Sequence, residues 1–92
     1  MRFIDDATVA RRLDYPRLID RLAAAFRADS AVPLRHHHTI DLPGAAAGTL
    51  LLMPAWTLGG QLAIKLVTVF PDNRLRSLPT VLASVQIGRA HV

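Results

Sequence analysis

The 92-residue chain has no cysteine. That excludes a disulfide scaffold and any thiolate metal site, and it fits a reducing, cytoplasmic setting. Aromatics are scarce: one Trp, one Tyr and three Phe. A nucleic-acid surface needs basic residues gathered on one face with aromatics to stack on bases. Here the arginines are spread from Arg2 to Arg89, so a net charge of +4 does not point to a nucleic-acid partner. No apolar run approaches the roughly 18 residues of a membrane span. Met1-Arg2-Phe3-Ile4 passes straight into Asp5-Asp6 without the pattern of a signal peptide. The glycines form no GxGxxG, P-loop or GxSxG pattern, so these residues carry no nucleotide-binding or nucleophile-elbow signature. Lysine is almost absent as well. Lys65 stands alone against ten arginines, inside the most apolar stretch of the chain.

What is present is largely aliphatic. The chain is 51% hydrophobic, with a mean hydropathy of +0.28. A chain this short buries only about two thirds of its unfolded surface, so more protein to pack against is expected. Residues 2–4 suggest a short first strand. Asp5 suits a helix N-cap, with Asp6 in the first turn. The helix is expected to run to about Leu13, with Val9 and Leu13 on its buried side. Tyr15-Pro16 starts a second helix, Pro16 being favoured at its first position. Leu18, Ile19, Leu22, Ala23 and Phe26 follow helical spacing and form its apolar stripe.

From residue 32 the pattern becomes extended. Arg35 to Leu42 reads as one strand. Gly48 to Trp56 reads as a second, with Pro54 predicted at a sheet edge or bulge. Thr57-Leu-Gly-Gly60 reads as a hairpin loop. Gln61 to Phe70 is a third strand, closed by Pro71-Asp72-Asn73, and Val81 to Val85 a last one. A strand, two helices and then a meander of strands predict an α+β fold with a mostly antiparallel sheet. Period two places Gln61, Ala63, Lys65, Val67 and Val69 on one face of the third strand. Leu62, Ile64, Leu66, Thr68 and Phe70 then form the predicted core face. A tight hairpin sets Lys65 across from the Leu52–Met53 region, and Arg35 shares a face with His37 and Thr39.

An ammonium in an aliphatic strand is costly to bury without an anion. Lys65 therefore either lies solvated over apolar neighbours or faces a ligand carboxylate. An arginine fork grips a carboxylate at two points and a lysine adds a mobile charge. Lys65 and Arg35 together suit an amino-acid or keto-acid carboxylate. His36-His37-His38 invites a metal reading, but alternation allows only His36 and His38 a common face, and Asp41 is the only nearby carboxylate. A solvated or partly packed strand accounts for them better, and no metal is expected.

Val32-Pro-Leu-Arg35, Leu52-Met-Pro-Ala-Trp56, Ile64-Lys-Leu-Val-Thr-Val-Phe-Pro-Asp-Asn73 and Leu78-Pro-Thr-Val81 occur in an order and at separations that resemble the ornithine cyclodeaminase/mu-crystallin family. The resemblance covers about residues 1–85. It implies a substrate-binding and dimer-forming N-terminal domain, broken off before a Rossmann domain. It also implies an NAD(P)-dependent enzyme acting on an amino acid or cyclic imino acid, either a cyclodeaminase forming proline and ammonia from ornithine or a related dehydrogenase or reductase. By similarity, Arg35 and Lys65 hold the substrate carboxylate, Lys65 lies beside the reacting carbon as the catalytic residue, and Met53 lines the pocket. A homodimer is implied for the full-length protein, with NAD or NADP held by residues that this chain lacks. The chain alone is therefore expected to bind no cofactor and to be inactive. A non-catalytic binding or dimerisation module is the alternative. Residues 87–92, Ile-Gly-Arg-Ala-His-Val, are what one frame of a common sequencing-adapter sequence encodes. Residues 1–86 are thus expected to be the native part of the domain, and 87–92 a non-native tail.

Overall fold

A computed structural model describes residues 1–89. The order is α1 (Asp6–Arg12), α2 (Tyr15–Arg27), β1 (Ser30–Ala31), β2 (His36–Ile40), β3 (Gly48–Thr57), β4 (Gln61–Val69), a 3₁₀ helix (Pro71–Arg76) and β5 (Val81–Arg89). The architecture is α+β, and every strand pairing is antiparallel.

Local chemistry accounts for both helix starts. The Asp5 carboxylate accepts the Thr8 N–H at 2.8 Å, and the Asp14 carboxylate accepts that of Arg17 at 2.9 Å. Each satisfies a backbone donor that the first turn leaves free. Hydrogen bonds from Thr8, first through its side chain and then its backbone, hold the Asp5 carboxyl below its ordinary value of 3.8. The predicted strand at residues 2–4 does not form. A strand needs a neighbour to take up its backbone groups, and no described segment pairs with this one.

β3 and β4 are the centre of the sheet, with β5 on the far side of β4. β1 and β2 both lie along the other side of β3, end to end. Between Ala31↔Trp56 and His36↔Leu52, residues 32–35 run against residues 53–55, so this edge carries one extra residue. Pro54 sits in the middle of the opposing segment. It has no N–H to lose to an interrupted neighbour, so the break costs little there. Pro54 thus lies within a central strand, beside the bulge rather than at a strand end.

The β3–β4 hairpin closes as its glycines predict. Gly59 takes φ 68, and the Gly60 N–H donates to the Thr57 carbonyl at 3.1 Å. At the other end of β3, Gly48 is buried. A Cβ there would lie 2.5 Å from two ring atoms of Phe70, so the ring occupies the space a side chain would need. The Pro-Asp-Asn segment is architectural. The Asp72 carboxylate accepts the Ala46 N–H at 2.7 Å, tying down the β2–β3 connection. The Asn73 amide donates to the Pro79 carbonyl at 3.1 Å and holds the approach to β5.

Burial departs from the sequence pattern. Val67 is the buried hydrophobic residue, at 7% exposure, and it lies on the Lys65 face. The predicted core face is covered only in part: Leu62 and Leu66 are exposed, while Ile64, Thr68 and Phe70 are half-buried. The helices are also bare. Val9 and Leu13 of the first predicted buried side are exposed, as are Ile19 and Leu22, and Phe26 is 87% exposed. The extensive contacts among described residues run from strand to strand, not from helix to sheet. Hydrophobic periodicity reports which residues seek cover, and the described residues do not supply that cover themselves. β5 also extends beyond the predicted Val85, pairing Ile87, Gly88 and Arg89 with Ala63, Leu62 and Gln61. Residues 90–92, the rest of the expected tail, lie outside the described residues.

Candidate functional site

β3 and β4 are long, regular and β-branched or aliphatic, so their register is well defined. It sets Lys65 directly opposite Met53, and Val85 opposite Lys65 on the other side. Directly paired residues point to the same face. Arg35 lies one residue before β2. It belongs to the bulged segment 32–35 that runs against residues 53–55, and directly precedes the His36↔Leu52 pair. The three candidate residues therefore lie along one row of the sheet, in the order Arg35, Met53, Lys65, with Met53 and Lys65 directly paired and Arg35 at the bulged end. Two inter-strand spacings separate the outer pair, about 10 Å between Cα atoms. Both side chains are long enough to close on one small anion above Met53.

Lys65 and Arg35 are exposed, and Met53 is half-buried. The floor beneath them is apolar, with Met53 and Val85 in the row, and Leu51 and Val67 in the next row of the same face. Charge on the sheet has one sign. The five strands contain no Asp or Glu at all, and all seven acids of the chain lie in helices, caps and connections. Lys65 is thus a cation on an acid-free sheet, flanked by arginine, over a greasy floor. Such a surface has the chemistry to take a small carboxylate.

The histidines divide as alternation requires. The His36 and His38 rings lie 5.9 Å apart on one face. His37, opposite Leu51, is on the other face with Lys65. No cluster of three or more metal-ligating side chains occurs among the described residues.

Among the described residues, no glycine-rich turn opens a helix in the way a dinucleotide site does. A pyrophosphate cradle needs free backbone N–H groups at a glycine-rich turn opening a helix. The Gly59-Gly60 turn instead joins two strands, with the Gly60 N–H spent on Thr57. Gly48 is filled by Phe70. A surface cavity of about 580 Å³ lies at this hairpin end between Trp56, Leu62 and Gly88, away from the Lys65 row. Its lining includes none of Arg35, Met53 and Lys65.

Asp72 and Asn73 have roles that reasoning from charge and spacing missed. They fix the loops around the sheet. The signal was there as turn chemistry: Asp and Asn after a proline cap local backbone groups.

No protein-family model matches the chain. Curated relatives do. It is 39% identical over 82 residues to Delta(1)-pyrroline-2-carboxylate reductase 1 of Burkholderia multivorans, covering 88% of this chain and 26% of that protein. It is 35% identical over 83 residues to an uncharacterized protein of Schizosaccharomyces pombe, covering 87% of this chain and 25% of that protein. It is 38% identical over 55 residues to Protein SAR DEFICIENT 4 of Arabidopsis thaliana, covering 56% of this chain and 16% of that protein. The chain spans about a quarter of the length of the first two relatives. With its motif blocks in order on an α+β scaffold, and with a reductase among its relatives, the chain belongs to the ornithine cyclodeaminase/mu-crystallin family.

Proposed function

We propose that this chain forms the carboxylate-binding part of an NAD(P)-dependent reductase that acts on a cyclic imino acid or a related amino acid. The observation that carries this reading is the row Arg35, Met53, Lys65, two cations flanking an apolar floor on a sheet without acids. Arg35 grips the carboxylate through its guanidinium fork, and Lys65 adds a second charge from the adjacent strand. Met53 forms the surface on which the carbon skeleton rests. Lys65 is the residue nearer the reacting carbon. The similarity to a pyrroline-carboxylate reductase favours reduction of an imine over the deamination of ornithine.

The dinucleotide, NAD or NADP, binds residues outside this chain, and the full-length protein is a homodimer. The chain alone is inactive, because it offers substrate a floor but no cofactor. The competing reading is a binding or dimerisation module without catalysis. Steady-state kinetics on a full-length protein that contains this chain separates the two. With cyclic imines, ornithine and alanine as substrates, Arg35→Ala and Lys65→Ala should each impair turnover while dinucleotide affinity stays unchanged. Unaltered kinetics in both variants would refute the site.

A further inference from the structure

We infer that His37 is a specificity-determining residue of this same site, accepting a hydrogen bond from the nitrogen of the bound ligand. The inference rests on the carboxylate reading above and names the next contact. Of the three consecutive histidines, only His37 shares the Lys65 face, because His36 and His38 turn the other way. His37 lies two residues along the edge strand from Arg35, about 6.8 Å away. Leu51 lies beside it, and Val67 lies beyond Leu51, one row from Met53 and Lys65. The imidazole therefore stands over the same apolar floor as the clamp, displaced along the strand. It is exposed, and none of the side-chain hydrogen bonds found among the described residues involves it.

The chemistry of the ligand matches that displacement. In an α-amino or cyclic imino acid the nitrogen is bonded to the carbon that carries the carboxylate. A carboxylate held by Arg35 and Lys65 leaves the nitrogen a short step to one side. No strand offers an acid to receive it. In the rows next to Met53 and Lys65, the His37 imidazole is the side-chain acceptor, while Thr39, Thr49, Thr57 and Gln61 of the same face lie further along the strands. Arg35 and Lys65 would hold any small carboxylate, whereas His37 selects those with nitrogen at the α-position.

The test compares L-proline with cyclopentanecarboxylate, which has the same ring and carboxylate but no nitrogen. Affinities are measured by calorimetry on a full-length protein that contains this chain. In His37→Leu the ratio of proline to cyclopentanecarboxylate affinity should fall about tenfold, the scale of one lost hydrogen bond. His37→Gln, whose amide oxygen can accept, should recover part of it. His36→Leu, on the opposite face, should leave the ratio alone. Arg35→Ala and Lys65→Ala should weaken both ligands alike. An unchanged ratio in His37→Leu, or an equal fall in His36→Leu, overturns the role of His37. Unchanged affinity for both ligands in the Arg35 and Lys65 variants would instead overturn the carboxylate reading beneath it.

Discussion

The sharpest perturbation is Lys65→Met in a full-length protein that contains this chain. Methionine keeps an unbranched apolar stem of similar length over Met53 and Val85, the two cross-strand neighbours of Lys65. It removes only the charge. An exposed strand lysine contributes little to stability, so the fold should survive with a melting temperature close to that of the parent. A charge-assisted contact to a carboxylate is worth about 1.5–3 kcal/mol. At about 1.4 kcal/mol per decade, kcat/KM should fall between roughly tenfold and 150-fold. Arg35→Met should cost a similar amount. The two are about 10 Å apart across the row and grip one anion, so their effects should not add. The double variant should lose less than the sum by at least about 0.5 kcal/mol. Stopped-flow and steady-state kinetics on the four proteins close the cycle. Strict additivity, or a Lys65→Met enzyme with full activity and unchanged KM, would show that the two cations do not share a ligand.

Three further outcomes follow from particular contacts. Asp72→Ala should lower stability by about 1–2 kcal/mol in urea titration, by freeing the Ala46 N–H, while Asp72→Asn keeps an acceptor and should lose less. Gly48→Val should cost about 1–3 kcal/mol, because its Cβ meets the Phe70 ring and forces it from its seat; Gly48→Val combined with Phe70→Ala should be milder than the two costs summed. The Asp5 carboxyl is held below 3.8 by its bonds to Thr8, so its cap supports α1 fully above that pH. The support is lost as pH falls through the lower folded value, and amide exchange at Thr8 should rise there in the parent but stay level in Asp5→Asn.

Much of the fold was legible because its signals are local. The N-cap at Asp5, the turn at Gly59-Gly60 and the hairpin register that brings Lys65 opposite Met53 each depend on a few neighbouring residues. Burial was not legible in the same way. The period-two pattern marked Leu62, Ile64, Leu66, Thr68 and Phe70 as core, yet Leu62 and Leu66 lie open, the other three are half-buried, and the buried residue of β4 is Val67 on the opposite face. Alternation tells which residues share a face, but which face is covered depends on what packs over it. The stripe on α2 poses the same question, with Ile19, Leu22 and Phe26 aligned and uncovered. The bulge at residues 32–35 was foreshadowed by Pro54, although its place beside a central strand required the pairing of two short strands along one edge.

The open sheet also bears on how strongly the clamp can act. Two opposite charges 4 Å apart attract by about 1 kcal/mol in water and about 4 kcal/mol where the effective dielectric constant is near 20. Arg35 and Lys65 are both exposed in this chain, so each contact to a carboxylate sits near the weaker limit. Two such contacts, before the entropy of capture is subtracted, cannot reach millimolar affinity, which needs about 4 kcal/mol. Covering the face would raise both terms together and exclude the water that competes for the anion. L-proline should therefore bind this chain alone more weakly than about 10 mM by NMR titration, and a full-length protein that contains it at least tenfold more tightly. Equal affinity in the two would mean that the row of Arg35, Met53 and Lys65 is complete without a second wall, and that exposure does not limit its grip.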